Sequence, residues 1–342
     1  MKVRNTVAIA AVGTLLLAGC GSNGTNNDQV VLKAADWYPE AHMGIQEGTK
    51  IWMDKVEEYT DGNVSFDHYP GEQLGKASDF LNLVQTGAAD AALIGSPYYP
   101  SEMPVASVGQ LPGLFQTSCE GTKGYWDLVK PGSKIAETEL AEMEVVPVFT
   151  AVSPSYEIMT SKKPLEETND AHGLKIRTSG GLYEESVTQI GASPTSITAS
   201  EQYEALNRGT IDGTVFGYAT APDYSLEEVV KYGTVGAKMG SFPTVEVISK
   251  DVWDSIPEEY QGEILKAGEE ASLHLCEVWD NRETTNREKW NKDGIIEVTE
   301  IDDSQQNDWN DSHKKVQEKW LSNLSDEQRT EAKQALDQLS QD

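Results

Sequence analysis

From residue 30 onward, short apolar runs alternate with stretches in which apolar residues recur at helical spacing, a pattern that predicts an α/β architecture. Val30 to Ala35 reads as a strand, followed by a helix with Ile45, Trp52, Val56 and Tyr59 on one stripe, closed by the turn pair Asp61-Gly62. Val64 to His68 is the next strand, and a second helix carries Phe80, Leu83, Val84 and Gly87. Ala89 to Ile94 is continuously small and apolar, as in a strand buried in a parallel sheet, and Val145 to Thr150 repeats that signal. A second set begins after Pro154, with strands at Tyr156 to Thr160 and Leu174 to Thr178, and a helix around Tyr183 to Ile190. A further helix from Glu201 to Asn207 opens on the capping box Thr198-x-x-Glu201 and stops at Gly209. Ile211 to Phe216 and Val245 to Ser249 add two strands. From Pro257 to about Trp290, the residues Ile264, Ala271, Leu275, Val278 and Arg282 recur at helical spacing. A helix of that length is about 50 Å long, longer than one small domain is wide, so it is expected to span two domains. The polar tail after Asp302 reads as helical, with Ser325 as an N-cap.

The start of the chain follows a different pattern. Lys2 and Arg4 precede an uncharged run from Thr6 to Ala18, which suits the apolar region of a secretory leader and is short of the roughly 20 residues a spanning helix needs. Leu17-Ala18-Gly19-Cys20 closes that run and resembles the bacterial lipobox, in which the cysteine is diacylated and becomes the new N-terminus. The expectation is a lipid anchor on Cys20 at the extracytoplasmic face of the cell membrane. Gly21 to Gln29, small, polar and Asn-rich, reads as a flexible tether.

Composition narrows the function. The remaining stretch of about 320 residues has no second apolar run long enough for a membrane. Formal net charge is −29, and −31 once Lys2 and Arg4 leave with the leader, which argues against nucleic acid and anionic lipid as partners. An anionic ligand therefore gains nothing from long-range steering, and its site must carry a local cation. Cys119 and Cys276 leave two readings open: a disulfide, which an extracellular compartment permits, or two buried small apolar residues. The five histidines show no metal-ligand spacing with each other or with the cysteines, and no nucleophile elbow, P-loop or H-E-x-x-H occurs. No metal, cofactor or catalytic residue is expected. The adjacent carboxylates Glu184-Glu185 and Glu227-Glu228 do not amount to an active site, because sequence neighbours on a helix do not face each other.

In open α/β sheets, ligands bind beyond the carboxyl ends of the strands. The residues that follow the proposed strands include Trp37 and His42, then Ser96 and Tyr98, then Tyr156 and Glu157, then Arg177, then Phe216 and Tyr218. Arg177 leads this set. Along its strand Leu174 and Ile176 point one way while Lys175 and Arg177 point the other, placing a guanidinium fork, suited to a bidentate carboxylate, at the crevice.

The strings Gly173-Leu-Lys-Ile-Arg177, Gly191-Ala-Ser-Pro-Thr195, Glu201-x-Tyr203-x-Ala205-Leu206 and Gly209-Thr-Ile-Asp-Gly213 together resemble the solute-binding proteins of tripartite ATP-independent periplasmic (TRAP) transporters, dicarboxylate-type family. Tyr69-Pro70-Gly71-Glu72-Gln73-Leu74-Gly75 and Leu111-Pro112-Gly113-Leu114-Phe115 stand in the same order, and the likeness runs from about residue 30 to 300. The resemblance implies a periplasmic-binding-protein-like fold, with two α/β domains around a cleft and a long helix across both. It further implies capture of a small organic acid without chemistry, and delivery to the small and large membrane subunits of an ion-driven transporter. On that basis the chain divides into a leader, 1–19, a tether, 20–29, a first domain, 30–153 with 242–281, and a second, 154–241 with 282–342.

Within the family, Arg177 stands where the carboxylate clamp is. The chain departs from the sialic-acid-binding branch, whose second Arg falls at Glu157 and whose Asn falls near Phe216, which argues against sialic acid as ligand. The expected ligand has one carboxylate for Arg177 and hydroxyl or ammonium donors for Glu157, with Phe216 and Trp37 covering its apolar face. The alternative for Glu157 is a Lys or Arg partner behind the site. Two other roles remain open for the whole protein: the binding lipoprotein of an ATP-driven importer, or a ligand presenter for a sensor.

Overall fold

The computed structural model describes residues 29–302 and 304–339, so the leader, Cys20 and most of the tether lie outside the described residues. The strands are β1 Val30–Ala35, β2 Val64–Tyr69, β3 Ala91–Gly95, β4 Val145–Val152, β5 Glu157–Thr160, β6 Lys175–Thr178, β7 Ser193–Ser196, β8 Gly213–Phe216, β9 Tyr232–Val235, β10 Pro243–Ser249 and β11 Glu297–Glu300. The helices are α1 Lys50–Tyr59, α2 Phe80–Gln85, α3 Ser118–Val129, α4 Leu182–Gln189, α5 Gln202–Asn207, α6 Lys250–Ser255, α7 Glu258–Lys292, α8 Gln306–Asn323 and α9 Asp326–Leu339.

The strands form two sheets, β2-β1-β3-β10-β4 and β11-β9-β5-β8-β6-β7, so the chain has two α/β domains. Both sheets are mixed, so the parallel-sheet setting expected for β3 and β4 holds for β3 against β1 but not for the strand between β3 and β4. β3 runs parallel to β1, but β10 lies antiparallel between β3 and β4. The chain has by then visited the second sheet and returns at Phe242, on the edge where β3 and β4 end, so β10 must run backwards from that edge. β5 is reversed in the same way, antiparallel to β8.

α7 is a single helix of 35 residues, about 52 Å at 1.5 Å per residue, and its buried residues run from Ile264 to Trp290. Its first half packs on α1, α3 and β4, and its far end meets Tyr218 and β11 of the second domain. Gly268 lets it lie directly on β4, because a Cβ there would collide with the Val148 carbonyl oxygen. Cys119 of α3 and Cys276 of α7 have Cα atoms 4.8 Å apart and are joined in a disulfide, which decides between the two readings left open by the sequence. The capping box forms as expected, with Glu201 accepting from the Thr198 amide at 3.1 Å, and Gly209 takes φ +68° after α5. Ser325 Oγ accepts from the Gln328 amide at the start of α9. The tail bridges the domains: α8 packs on α4, whereas α9 packs on α3.

Candidate functional site

β6 lies between β7 and β8 and runs parallel to both, so the ends of all three strands share one edge of the second sheet. Lys175 starts β6 in solvent, and two residues on, Arg177 is fully buried at its far end. The Arg177 Nε donates to the Ile197 carbonyl at 2.9 Å, just past β7, and its guanidinium carbon lies 5.7 Å from the centre of the Phe216 ring at the end of β8. Nη1 and Nη2 have no hydrogen-bond partner among the described residues. An uncompensated buried cation costs several kcal/mol, and an anion with two acceptors would satisfy both nitrogens.

Beside Phe216, whose ring Arg177 approaches, is a small cavity between the two sheets with free space of about 10 Å³, close to that of one water molecule. The first domain lines it with Trp37, Tyr38, His42, Tyr98, Ser153 and Phe242. The second contributes Tyr156, Ser179, Ala199, Phe216, Thr220 and Tyr224, and α7 adds Trp279. The topology accounts for this assembly. Trp37, Tyr98, Ser153, Ser179 and Phe216 sit at the carboxyl ends of β1, β3, β4, β6 and β8, and Phe242 and Tyr156 sit at the amino starts of the reversed strands β10 and β5.

Electrostatically the cavity is poor in charge. His42 Nδ1 accepts from the Gly44 amide at 2.9 Å, which leaves the proton on Nε2. Burial, aided by nearby Arg282, pushes the His42 ring down to about 3, so it is neutral. Its Nε2 is 3.7 Å from the Asp223 carboxylate and forms no hydrogen bond. Asp223 is gripped by both terminal nitrogens of Arg282, at 3.1 and 3.2 Å, and by the Met43 amide at 3.2 Å; burial raises its pKa while Arg282 opposes the rise. Burial also raises the Tyr98 and Tyr156 hydroxyls, against the pull of Arg177.

Of the residues read from the sequence, Arg177, Trp37, His42, Tyr98, Tyr156 and Phe216 are brought together at this point. Three are placed elsewhere. Ser96 Oγ accepts from the Gln110 side chain at 3.1 Å, and Gln110 in turn accepts from the Leu182 amide at 3.0 Å, so Ser96 supports a link between the domains. The Tyr218 hydroxyl donates to the Thr234 carbonyl at 3.0 Å, with its ring against Trp290. Glu157 corrects both readings made for it: its carboxylate accepts from Thr234 Oγ1 at 2.7 Å and from the Gly236 and Ala237 amides at 3.0 Å each. It braces the loop after β9 and meets neither the cavity nor a Lys or Arg side chain in those contacts. The reading of strand ends missed Phe242, which precedes a strand, Ala199, Thr220 and Tyr224, which lie in or just before short 3-10 turns, and Trp279, which is mid-helix.

The profile of the bacterial extracellular solute-binding proteins, family 7 (DctP), matches residues 38–338. The chain belongs to this family. The family's members and the structural neighbours are solute-binding proteins, not enzymes. The chain is 27% identical over 231 residues to the C4-dicarboxylate-binding periplasmic protein DctP of Rhodobacter capsulatus, covering 66% of this chain and 67% of that one. Its fold is shared with a TRAP periplasmic solute-binding protein of Bordetella bronchiseptica solved with (R)- and (S)-mandelate, at a TM-score of 0.82, 22% identity and coverage of 91% of this chain and 97% of that one. A TRAP periplasmic solute-binding protein of Roseobacter denitrificans with bound β-D-glucuronate matches at a TM-score of 0.78 and 19% identity, covering 90% and 98%. Among the described residues of this DctP-family chain, no helix is long and apolar enough to cross a membrane, and no group of three His, Cys, Asp or Glu could hold a metal ion.

Proposed function

We propose that this protein captures a small organic acid outside the cytoplasm, closes over it and delivers it to the small and large membrane subunits of an ion-gradient-driven TRAP transporter. The observation that carries the reading is the Arg177 guanidinium, buried with both terminal nitrogens unpartnered and next to Phe216 in the wall of a partly enclosed cavity. Dicarboxylate, mandelate and glucuronate, named for the three similar proteins, share only a carboxylate, which is the group that a guanidinium fork holds best. Cys20 is the lipid anchor in this reading, with 20–29 as tether, and the domains are 30–153 with 242–281 and 154–241 with 282–342, the last helix lying across to the first. The ligand roles fall to Arg177, Trp37, His42, Tyr98, Tyr156 and Phe216.

The test is calorimetric titration with organic acids of the purified protein and of Arg177→Met. Loss of the buried charge pair, worth about 3–5 kcal/mol, weakens binding by at least about 100-fold. An acid bound equally well by the variant would refute the clamp.

A further inference from the structure

The cavity's own chemistry narrows the acid. We propose that the ligand is an aromatic monocarboxylate, its carboxylate on Arg177 and its ring among Phe216, Tyr156, Phe242, Tyr98 and Trp37; this rests on the carboxylate-binding reading above.

The first ground is the wall. Eight of the thirteen lining residues are Trp, Tyr or Phe. Around the proposed ring position they already pair in offset and edge-on arrangements: Tyr156 and Phe216 have centroids 5.3 Å apart at 35°, and Tyr98 meets Phe242 at 5.6 Å and 67°. Trp37 meets Tyr98 edge-on at 5.9 Å and 85°. As it stands the cavity is too small for a ring, so the domains must part to admit one; a ring taken in there extends an existing cluster, since aromatic pairs favour these geometries.

The second ground is the count of cations. No lining residue is Lys or Arg, His42 is neutral, and Arg282 is taken up by Asp223. A second carboxylate would be buried without a counter-charge, which excludes dicarboxylates.

The third ground is the absence of carboxylate and amide acceptors. No lining residue is Asp, Glu, Asn or Gln, and the Ser153 hydroxyl is already spent on the Pro154 carbonyl and the Phe242 amide. A sugar acid would bring several hydroxyls into a wall whose other side-chain acceptors are the hydroxyls of Tyr, Ser179 and Thr220, with no carboxylate or amide to grip a sugar ring. Among the described residues, the lining groups left without a partner are the Trp37 and Trp279 indole N–H groups, His42 Nε2 and the Tyr98 and Tyr224 hydroxyls. The N–H groups and the two hydroxyls match an oxygen substituent on the ligand.

Thermal shift and tryptophan-fluorescence titration of the purified protein decide between these classes, using benzoate, 3-hydroxybenzoate, mandelate, succinate, glucuronate, glycine betaine and the neutral benzyl alcohol. The expected result is an aromatic acid bound at least about 100-fold more tightly than succinate, glucuronate, betaine or benzyl alcohol, and about 5-fold more weakly by Phe216→Leu, in line with the loss of one aromatic pair. Tighter binding of succinate, glucuronate or betaine, lost in Arg177→Met, overturns the aromatic class and leaves the carboxylate reading standing. Benzyl alcohol binding as well as benzoate would overturn the carboxylate reading instead. If none of the acids binds, both fall. The wild-type panel decides the matter even if Phe216→Leu does not fold.

Discussion

Glu283 sits on α7 behind the site, buried, with its carboxylate accepting from the Ala219 amide at 2.8 Å. Burial pushes its pKa up to about 8, Glu157 adds to the rise and the amide bond opposes it. An unfolded Glu titrates near about 4.3, so between that value and about 8 the native state holds a proton that the unfolded chain releases. The folded pKa is the raised one, so its contribution to stability is complete below the unfolded value and is lost as pH rises towards about 8, at no more than about 1.4 kcal/mol per unit. The melting temperature should fall from pH 5 to pH 8, and Glu283→Gln, which keeps an acceptor for Ala219, should flatten the fall by about 1–3 kcal/mol at pH 8. Glu139, pushed to about 7 by burial, leaves part of the slope in the variant. Superimposable melting profiles of the two proteins would refute the assignment. At this scale Arg177 was legible because strand alternation alone sends it to the crevice. Glu157 was misread because it stands where the sialic-acid-binding branch has its second Arg, which suggested that it faces the ligand. The amides of residues 236–238 that claim it are some 80 positions away, beyond the reach of any local pattern.

Among the elements, the long helix was legible and several strands were not, for a physical reason. α7 keeps an apolar stripe through 35 residues, so its period survives polar interruptions. β7 is Ser-Pro-Thr-Ser at the edge of its sheet, where half-exposed polar residues and a proline are tolerated, and it carries no strand signal. α3 hides its helical period behind small residues at close contacts, Gly121 against Val152 of β4 and Gly124 against Leu339 of α9. The wall of the cavity followed the same logic: strands that run forward present their ends to the cleft, whereas Phe242 precedes the reversed β10 and is invisible to a rule that looks after strands. Two glycines of α7 test its packing against its propensity. Gly268→Ala should lower stability by about 1–3 kcal/mol by forcing the helix off the Val148 carbonyl. Gly262→Ala, where a Cβ would meet nothing within 4 Å, should raise it by up to about 1 kcal/mol. Denaturant midpoints shifted in the same direction by both variants would show that helix propensity alone, or packing alone, governs this helix.

Across the whole molecule, closure depends on the balance between contacts that join the domains and the one buried charge that resists them. The Met43 amide bonds Asp223 at 3.2 Å, the Leu182 amide bonds Gln110 at 3.0 Å and Ser200 bonds Glu72 at 3.0 Å, each pair linking one domain to the other. Against these, bringing the domains together buries the Arg177 guanidinium with two unsatisfied nitrogens, a cost of several kcal/mol that an anion removes. A few kcal/mol is enough to reverse a two-state population. Without ligand the protein should therefore rest open, and with a bound acid it should close to a radius of gyration near about 20 Å, the value for a compact chain of this length. Replacing the charge by an apolar side chain of similar reach removes the resisting term and leaves the joining contacts in place. Arg177→Met should thus be more compact than the wild type when neither has ligand, although it has lost its affinity for acids. Small-angle X-ray scattering of the two ligand-free proteins checks this directly: a variant as extended as the wild type would mean that the open state is favoured by the hinge itself and not by the unpaired guanidinium.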